Sequence, residues 1–148
     1  MTVRVGINGF GRIGRNFFRA AMKSGVDFEF VAVNDLGAID TMAFLLANDS
    51  VHGPLEAKVR TTRDSISIDG KKIEVLSERN PGDLPWGDLG VDVVVESTGF
   101  FTARDQAGLH LEGGARKVII SAPSGDCDAT FVVGVNDDDY DPSKHHVI

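Results

Sequence analysis

The sequence contains little cysteine: Cys127 is the single one among 148 residues. A lone cysteine cannot form an internal disulfide, which favours a reducing, cytoplasmic location. Long hydrophobic runs are also missing, since no apolar stretch approaches the roughly 20 residues that a membrane-spanning helix needs. Polar residues interrupt the first segment, where a secretory leader would carry an apolar core. We therefore expect a soluble cytoplasmic protein with no membrane partner.

Positive charge is in short supply too. Lys and Arg number 15 and Asp and Glu 22, for a net charge of −7, which argues against nucleic-acid binding. The first 25 residues are the exception, because they hold five basic side chains and no acid. This local charge favours a phosphate-binding segment there, although a basic, solvated helix face would have the same composition.

Near its start the chain carries the pattern Gly9-x-Gly11-x-x-Gly14, between an apolar run, Val3–Ile7, and an amphipathic segment that Gly25 ends. In a dinucleotide-binding turn the first glycine allows the tight turn, the second lets the backbone approach the pyrophosphate, and the third lets the helix pack close to the sheet. The N–H groups that open the helix then face the phosphates. The pattern predicts such a turn; the alternative is a strand–helix–strand unit that uses these glycines only for packing.

A second apolar run, Phe28–Val33, ends at Asn34 and Asp35. Asp35 follows Gly14 by 21 residues, close to the spacing expected of an acid that hydrogen-bonds an adenosine ribose. A carboxylate suits a free 2′-hydroxyl and repels a 2′-phosphate, and no Arg follows it to compensate. The segment therefore predicts NAD as the cofactor, with NADP less favoured. The alternative for Asp35 is a polar strand end.

The remaining segments alternate between strand and helix patterns. Asp69-Gly70 joins two alternating runs, Ser65–Ile68 and Lys72–Val75, and is a strong two-residue hairpin signal. Helices are predicted to begin after Asp40 and after Thr102, each acting as an N-terminal cap. Further strands are predicted at Val91–Val95, Lys117–Ala122 and Phe131–Val135, with a last one beginning at His145–Ile148.

This alternation predicts an α/β fold: a doubly wound parallel (Rossmann) sheet with an antiparallel hairpin insertion, forming one dinucleotide-binding domain over residues 1–148. Ligands of such sheets bind at the carboxyl ends of the strands. Gly9–Gly14, Asp35, Ser97–Gly99 and Ser121 all fall at predicted strand ends, so we expect them around one site. The acids at 137–141 lack metal-loop spacing, and a solvated turn without metal is expected there.

Several sequence segments, in order along the whole chain, resemble segments of one enzyme family. The most specific are residues 6–15, 94–99 and 117–123, which read GINGFGRIGR, VVESTG and KVIISAP. They are similar to the N-terminal half of phosphorylating glyceraldehyde-3-phosphate dehydrogenase. The resemblance implies an NAD-dependent oxidoreductase of glycolysis that converts glyceraldehyde 3-phosphate to 1,3-bisphosphoglycerate and that is a homo-oligomer in its full length.

By position, the resemblance also implies a cofactor site. Arg12 and Ile13 would lie at the pyrophosphate and Asp35 at the adenosine ribose. Arg79 would reach the adenine end, and Ser121 would approach the nicotinamide. The residues that the resemblance assigns to cofactor binding are Asn8, Gly9, Gly11, Arg12, Ile13, Gly14, Asn34, Asp35, Arg79, Ser97, Thr98, Gly99, Phe101 and Ser121.

The resemblance places the nucleophilic cysteine, and the histidine that activates it, in a catalytic domain beyond Ile148. Cys127 is not expected to replace that cysteine, because the carboxylates beside it disfavour a thiolate, and the four histidines are expected to be structural. We therefore expect residues 1–148 to bind NAD without catalysing the reaction. Two alternatives stay open: a non-catalytic nucleotide-binding module, and a sister dehydrogenase acting on erythrose 4-phosphate.

Overall fold

The computed structural model describes residues 2–148. Its three α-helices are α1 (Arg12–Ser24), α2 (Ile39–Ala47) and α3 (Arg104–Glu112), and single 3-10 turns lie at Pro81–Asp83 and Asp137–Asp139. Its strands are β1 (Val3–Asn8), β2 (Phe28–Asn34), β3 (Asn48–Asp49), β4 (Gly53–Pro54), β5 (Val59–Thr61), β6 (Ser65–Ile68), β7 (Lys71–Leu76), β8 (Val93–Glu96) and β9 (Lys117–Ile120).

The main sheet has the order β5-β6-β7-β2-β1-β8-β9, and β3 and β4 form a separate two-stranded pair. Strands β7, β2, β1, β8 and β9 run parallel to one another, whereas β6 is antiparallel to both of its neighbours, β5 and β7. The predicted doubly wound parallel sheet with an antiparallel insertion is confirmed. The strand order reverses between β1 and β8, and such a reversal opens a crevice at the carboxyl ends of the two strands.

The hairpin between β6 and β7 forms where the sequence predicts it. Asp69 and Gly70 have φ angles of 50° and 84°, so both central residues of the turn are left-handed. A two-residue turn of this kind matches the twist of the strands it joins. The hairpin carries the chain away from the parallel sheet before β7 pairs with β2.

Each face of the sheet is covered by different elements. Helices α1 and α2 pack on one face through Phe18 and Leu46, against Ile7 of β1. On the other face Trp86 is fully buried among apolar side chains. Its ring lies so close to β1 that a Cβ on Gly6 would stand 2.7 Å from the ring. Residue 6 is therefore a glycine because the indole occupies the space of a side chain.

The two predicted helix caps are wrong. Helix α2 begins two residues earlier than predicted, with Ala38 at the N-cap position, and Asp40 instead accepts a hydrogen bond from Thr61 Oγ1 at 2.8 Å. Helix α3 has Ala103 at its N-cap rather than Thr102. Its first N–H group, on Arg104, donates to Asp126 Oδ1 at 2.9 Å. The cap of α3 is thus supplied by a distant loop, which local patterning cannot reveal.

The strand predicted at Phe131–Val135 is also wrong. The segment is an irregular loop in which Val132 N donates to Asn136 Oδ1 at 2.7 Å and Asn136 Nδ2 donates to Thr130 O at 3.0 Å. Gly134 has a φ of 80°, which interrupts the extended backbone. These hydrogen bonds close the loop on itself. Its alternating apolar residues therefore do not form a strand of the sheet.

The last residues extend the sheet beyond β9, as the beginning strand at His145–Ile148 predicts. Val147 forms a parallel bridge with Val118. Asp128 holds this segment, because its Oδ2 accepts from His146 N and Val147 N at 2.8 Å and its Oδ1 accepts from Arg104 Nε at 2.7 Å. The predicted solvated turn at residues 137–141 is present as an exposed 3-10 turn.

Among residues 2–148, no helix combines the length and the apolar character that would let it cross a lipid bilayer.

The contacts of Asp128 predict an acid-sensitive C-terminal segment. Burial raises the pKa of Asp128, but the hydrogen bonds from Val147, Arg104 and His146 outweigh it and lower the pKa to about 2. A lowered carboxyl pKa stabilises the fold above the unfolded value of 3.8, and this stabilisation is lost as the pH falls towards about 2. We expect Asp128→Asn to lower the free energy of unfolding by about 2 kcal/mol at neutral pH.

Urea unfolding of the wild type and of Asp128→Asn between neutral and acidic pH measures the difference in their free energies of unfolding. The difference should shrink as the pH falls from about 4 towards about 2, because the wild-type carboxyl becomes neutral. Asp138→Asn, at an exposed acid in the neighbouring turn, serves as the control and should leave stability unchanged. A difference that stays constant across this pH range would contradict the assignment.

Candidate functional site

A cleft of about 400 Å³ opens at the carboxyl ends of β1, β2 and β8. It lies at the reversal of strand order, where open α/β sheets bind their ligands. The residues that line it are Asn8, Gly9, Gly11, Asn34, Asp35, Leu36, Glu78, Arg79, Ser97, Thr98, Phe100 and Phe101.

The glycine turn forms one wall of the cleft, and its three glycines meet different surroundings. A Cβ on Gly9 would stand 2.6 Å from Thr98 N, and one on Gly14 would stand 2.3 Å from Gly9 O. A Cβ on Gly11 would meet nothing within 4 Å. Gly9 and Gly14 are therefore required by the packing of the protein, whereas the space beside Gly11 is open to a ligand.

Asp35 braces this turn from the end of β2. Its Oδ2 accepts from Phe10 N and its Oδ1 accepts from Gly37 N, both at 2.8 Å. From α1, Arg15 Nη1 donates to the carbonyl of the same Phe10 at 2.8 Å. Burial lowers the pKa of Arg15, and the charges of Asp35 and Asp49 oppose that shift. The backbone of Phe10 is thus held on both sides.

Two buried asparagines join the ends of β1 and β2 to the segment that follows β7. Asn34 Nδ2 donates to Asn8 Oδ1 at 2.7 Å and to Glu78 O at 2.8 Å. Asn34 Oδ1 accepts from Glu78 N at 2.8 Å. Because Glu78 and its neighbour Arg79 line the cleft, these bonds set the position of its outer wall.

A buried carboxylate lies beneath the cleft, at the end of β8. Glu96 is 2% exposed, and its Oε2 accepts from Asn8 Nδ2 at 2.6 Å and contacts His110 Nε2 at 2.8 Å. Its Oε1 accepts from Thr98 N at 2.9 Å and from Thr98 Oγ1 at 2.5 Å. Trp86 Nε1 donates to His110 Nδ1 at 3.0 Å. We call Trp86, His110 and Glu96 the buried triad.

Ser97, which directly follows β8, joins the glycine turn to the loop after β8. Ser97 Oγ donates to Gly9 O at 2.6 Å and lies 3.1 Å from Asn8 O. The glycine turn after β1 and the loop after β8 are therefore connected both at the surface of the cleft, through Ser97, and below it, through Glu96.

The structure brings most of the predicted site residues to the cleft, with five exceptions. Arg12 and Ile13 lie exposed on the first turn of α1, beside the cleft, and Gly14 is buried beneath the turn. Gly99 is exposed at the rim, and Ser121 is exposed past the end of β9. The predicted residues that line the cleft are Asn8, Gly9, Gly11, Asn34, Asp35, Arg79, Ser97, Thr98 and Phe101.

Residue patterns alone miss six positions. Leu36, Glu78 and Phe100 line the cleft but lie in loops whose path depends on the fold. The buried triad is missed because its members are far apart in sequence. The one local signal is Glu96, a charged residue that directly follows the apolar run Val93–Val95.

Other candidate positions lie away from the cleft. Cys127 Sγ contacts Ala129 O at 3.3 Å and packs with a small apolar cluster beside β9. Within residues 2–148, no group of three or more His, Cys, Asp or Glu side chains could hold a metal ion. A larger groove of about 800 Å³, which includes Arg4, Phe28 and Lys72, lies at the opposite ends of the strands, where parallel sheets do not bind their ligands.

Comparison with known proteins identifies relatives along the whole chain. Residues 3–104 match the family model described as glyceraldehyde 3-phosphate dehydrogenase, NAD binding domain. The glyceraldehyde-3-phosphate dehydrogenases of Streptomyces coelicolor and Geobacillus stearothermophilus are 62% and 60% identical to the chain over 148 residues. The match covers 100% of this chain and 44% of each relative, so the chain spans less than half the length of these curated relatives.

The different surroundings of Gly11 and Gly14 predict that alanine mainly lowers stability at residue 14 and mainly weakens ligand binding at residue 11. Gly14→Ala should lower the free energy of unfolding by about 2 kcal/mol, because the new methyl group overlaps a backbone carbonyl that cannot move freely. Gly11→Ala should cost at most about 1 kcal/mol, the price of alanine at an N-cap position. It should nevertheless weaken dinucleotide binding at least about tenfold, since the methyl group fills the open space.

Chemical denaturation and calorimetric titration with NAD measure the two effects in parallel. Gly125→Ala, at a position with open surroundings in a loop away from the cleft, is the matched control. If Gly11→Ala binds as tightly as the wild type, the open space beside Gly11 is not where the ligand's phosphates lie.

Proposed function

Since the chain belongs to the family of glyceraldehyde 3-phosphate dehydrogenase NAD-binding domains, we propose that its cleft holds NAD with the pyrophosphate beside Gly11. The observation that carries this proposal is the open space next to Gly11, in a turn whose other glycines are fully packed. No side chain caps α1 at this end, so the N–H groups of its first turn are free to meet a phosphate.

The proposal includes the residues that contact the cofactor. The backbone at Arg12 and Ile13 would donate to the pyrophosphate, and Asp35 would accept from the adenosine ribose. Arg79 would contact the adenine end, and Ser121, at the adjacent strand end, would approach the nicotinamide. The proposed set is Asn8, Gly9, Gly11, Arg12, Ile13, Gly14, Asn34, Asp35, Arg79, Ser97, Thr98, Gly99, Phe101 and Ser121.

We further propose that the site prefers NAD over NADP. Asp35 lies in the cleft lining, where its negative charge would repel a 2′-phosphate and suit a free 2′-hydroxyl. The residues that follow it, Leu36 and Gly37, provide no cation to neutralise such a phosphate. Arg79 is the cation of the cleft lining, and it lies in the segment that follows β7.

The whole reaction is proposed for the longer protein of which such a domain is part. Bound NAD supplies a hydride acceptor, and residues 2–148 would bind and orient it. The cysteine and histidine that act on glyceraldehyde 3-phosphate, to give 1,3-bisphosphoglycerate, would come from the part of the relatives that this chain does not match. Cys127 lies outside the cleft, in support of this division. A cytoplasmic location and a homo-oligomeric full-length enzyme complete the proposal.

Calorimetric titration with NAD and with NADP tests cofactor binding and preference together. The wild type should bind NAD more tightly, and Asp35→Asn should narrow the ratio of the two affinities about tenfold, because the repelling charge is removed while the side-chain shape is kept. The matched control is Asp88→Asn, at an exposed acid outside the cleft, which should leave the ratio unchanged.

Two results would count against the proposal. Absence of saturation at about 1 mM NAD would contradict the proposal that the cleft binds NAD. If Asp35→Asn leaves the ratio of the affinities for NAD and NADP unchanged, Asp35 does not discriminate between the two cofactors.

A further inference from the structure

Every group that approaches Glu96 is a hydrogen-bond donor. Asn8 Nδ2 and Thr98 N can only donate, and Thr98 Oγ1 lies 2.5 Å from Oε1. His110 Nε2 lies 2.8 Å from Oε2. A carboxylate accepts on both oxygens, whereas a neutral acid or an amide presents a donor at one of them. The site is therefore built for an ionised Glu96.

Trp86 fixes which nitrogen of His110 carries the proton. The indole N–H can only donate, and it points at His110 Nδ1 at 3.0 Å. Nδ1 must therefore be the unprotonated, accepting nitrogen of a neutral ring. The proton is left on Nε2, where it is donated to Glu96 Oε2. His110 and Trp86 are both fully buried, so water does not compete for these bonds.

The two oxygens of Glu96 hold two different segments that line the cleft. Oε1 holds the N–H and the hydroxyl of Thr98, in the loop after β8. Oε2 holds Asn8, at the end of β1, and Asn8 in turn accepts from Asn34. One buried side chain thus sets the spacing between two walls that line the cleft.

We propose that Glu96 is a positioning residue for the dinucleotide, held ionised and oriented by His110 and Trp86. It acts through Thr98 and Asn8 and does not itself line the cleft. This inference rests on the proposed function for its effect on NAD, and on the buried triad alone for its effect on the shape of the cleft.

The first experiment needs no variant. Nitrogen-15 NMR of His110 in the purified protein at neutral pH reports which ring nitrogen is protonated. We expect an unprotonated Nδ1 and a protonated Nε2. In Trp86→Phe, which removes the indole donor and leaves the Glu96 carboxylate in place, we expect Nε2 to stay protonated and the Nδ1 signal to move, because Nδ1 loses its hydrogen bond. A protonated Nδ1 in the wild type, in either a neutral or a charged ring, would overturn the proposal.

The second experiment replaces the carboxylate by an amide of the same shape. Glu96→Gln should weaken NAD binding about tenfold and move the NMR signal of the Thr98 amide proton, because one of the two walls then faces an NH₂ group. Glu112→Gln makes the same chemical change at an exposed position on α3 and should alter neither. Unchanged NAD affinity together with an unmoved Thr98 signal in folded Glu96→Gln would overturn the proposal.

A third variant separates positioning from general loss of stability. Ile66→Ala removes a buried side chain from the hairpin strand β6, away from the cleft. At a temperature where it and Glu96→Gln are equally folded, only Glu96→Gln should bind NAD weakly. Equal weakening in both would assign Glu96 a structural role and contradict positioning.

Failure of the proposed function gives a different result. If the wild type does not bind NAD, the function is wrong, and the tautomer of His110 and the Thr98 signal still decide whether Glu96 positions the walls of the cleft. If Glu96→Gln unfolds, the tautomer of His110 in the wild type decides whether Glu96 is held as proposed.

Discussion

The arrangement of the cleft depends on the close contact between the turn after β1 and the end of β8. A side chain at residue 9 would overlap the backbone of Thr98, and one at residue 14 would overlap the carbonyl of Gly9. Because the two strand ends and the start of α1 converge tightly, neither position has room for a Cβ. Beside Gly11, by contrast, the turn leaves open space, and this space is part of the cleft at the reversal of strand order.

This contact is supported from below by a charge that would otherwise oppose folding. Removing an unpaired carboxylate from water is strongly unfavourable. Glu96 is buried among donors on both of its oxygens, and each donor belongs to an element that the fold must bring together: β1, α3 and the loop after β8. The desolvation of the charge is therefore offset only when all three are in place, which favours one arrangement of the cleft over looser ones.

The sequence predictions succeeded where the cause lies within a few residues. Asp69 and Gly70 tolerate left-handed backbone, so they predict the hairpin, and Gly25 ends α1 in the left-handed conformation for the same local reason. They failed where a distant group competes. The start of α3 is capped by Asp126 from another loop, and the alternating segment Phe131–Val135 is closed by Asn136 instead of pairing in a sheet.

The sequence by itself determined the parallel α/β architecture, the glycine turn and the acid at the end of β2. Each depends on local backbone preference, hydrophobic period or spacing along the chain. Only the tertiary structure decided that Glu96, His110 and Trp86 meet beneath the cleft, and that Asp35 braces Phe10 as well as facing the cleft. Such contacts join residues from separate elements, and their distances are set by the packing of those elements against one another.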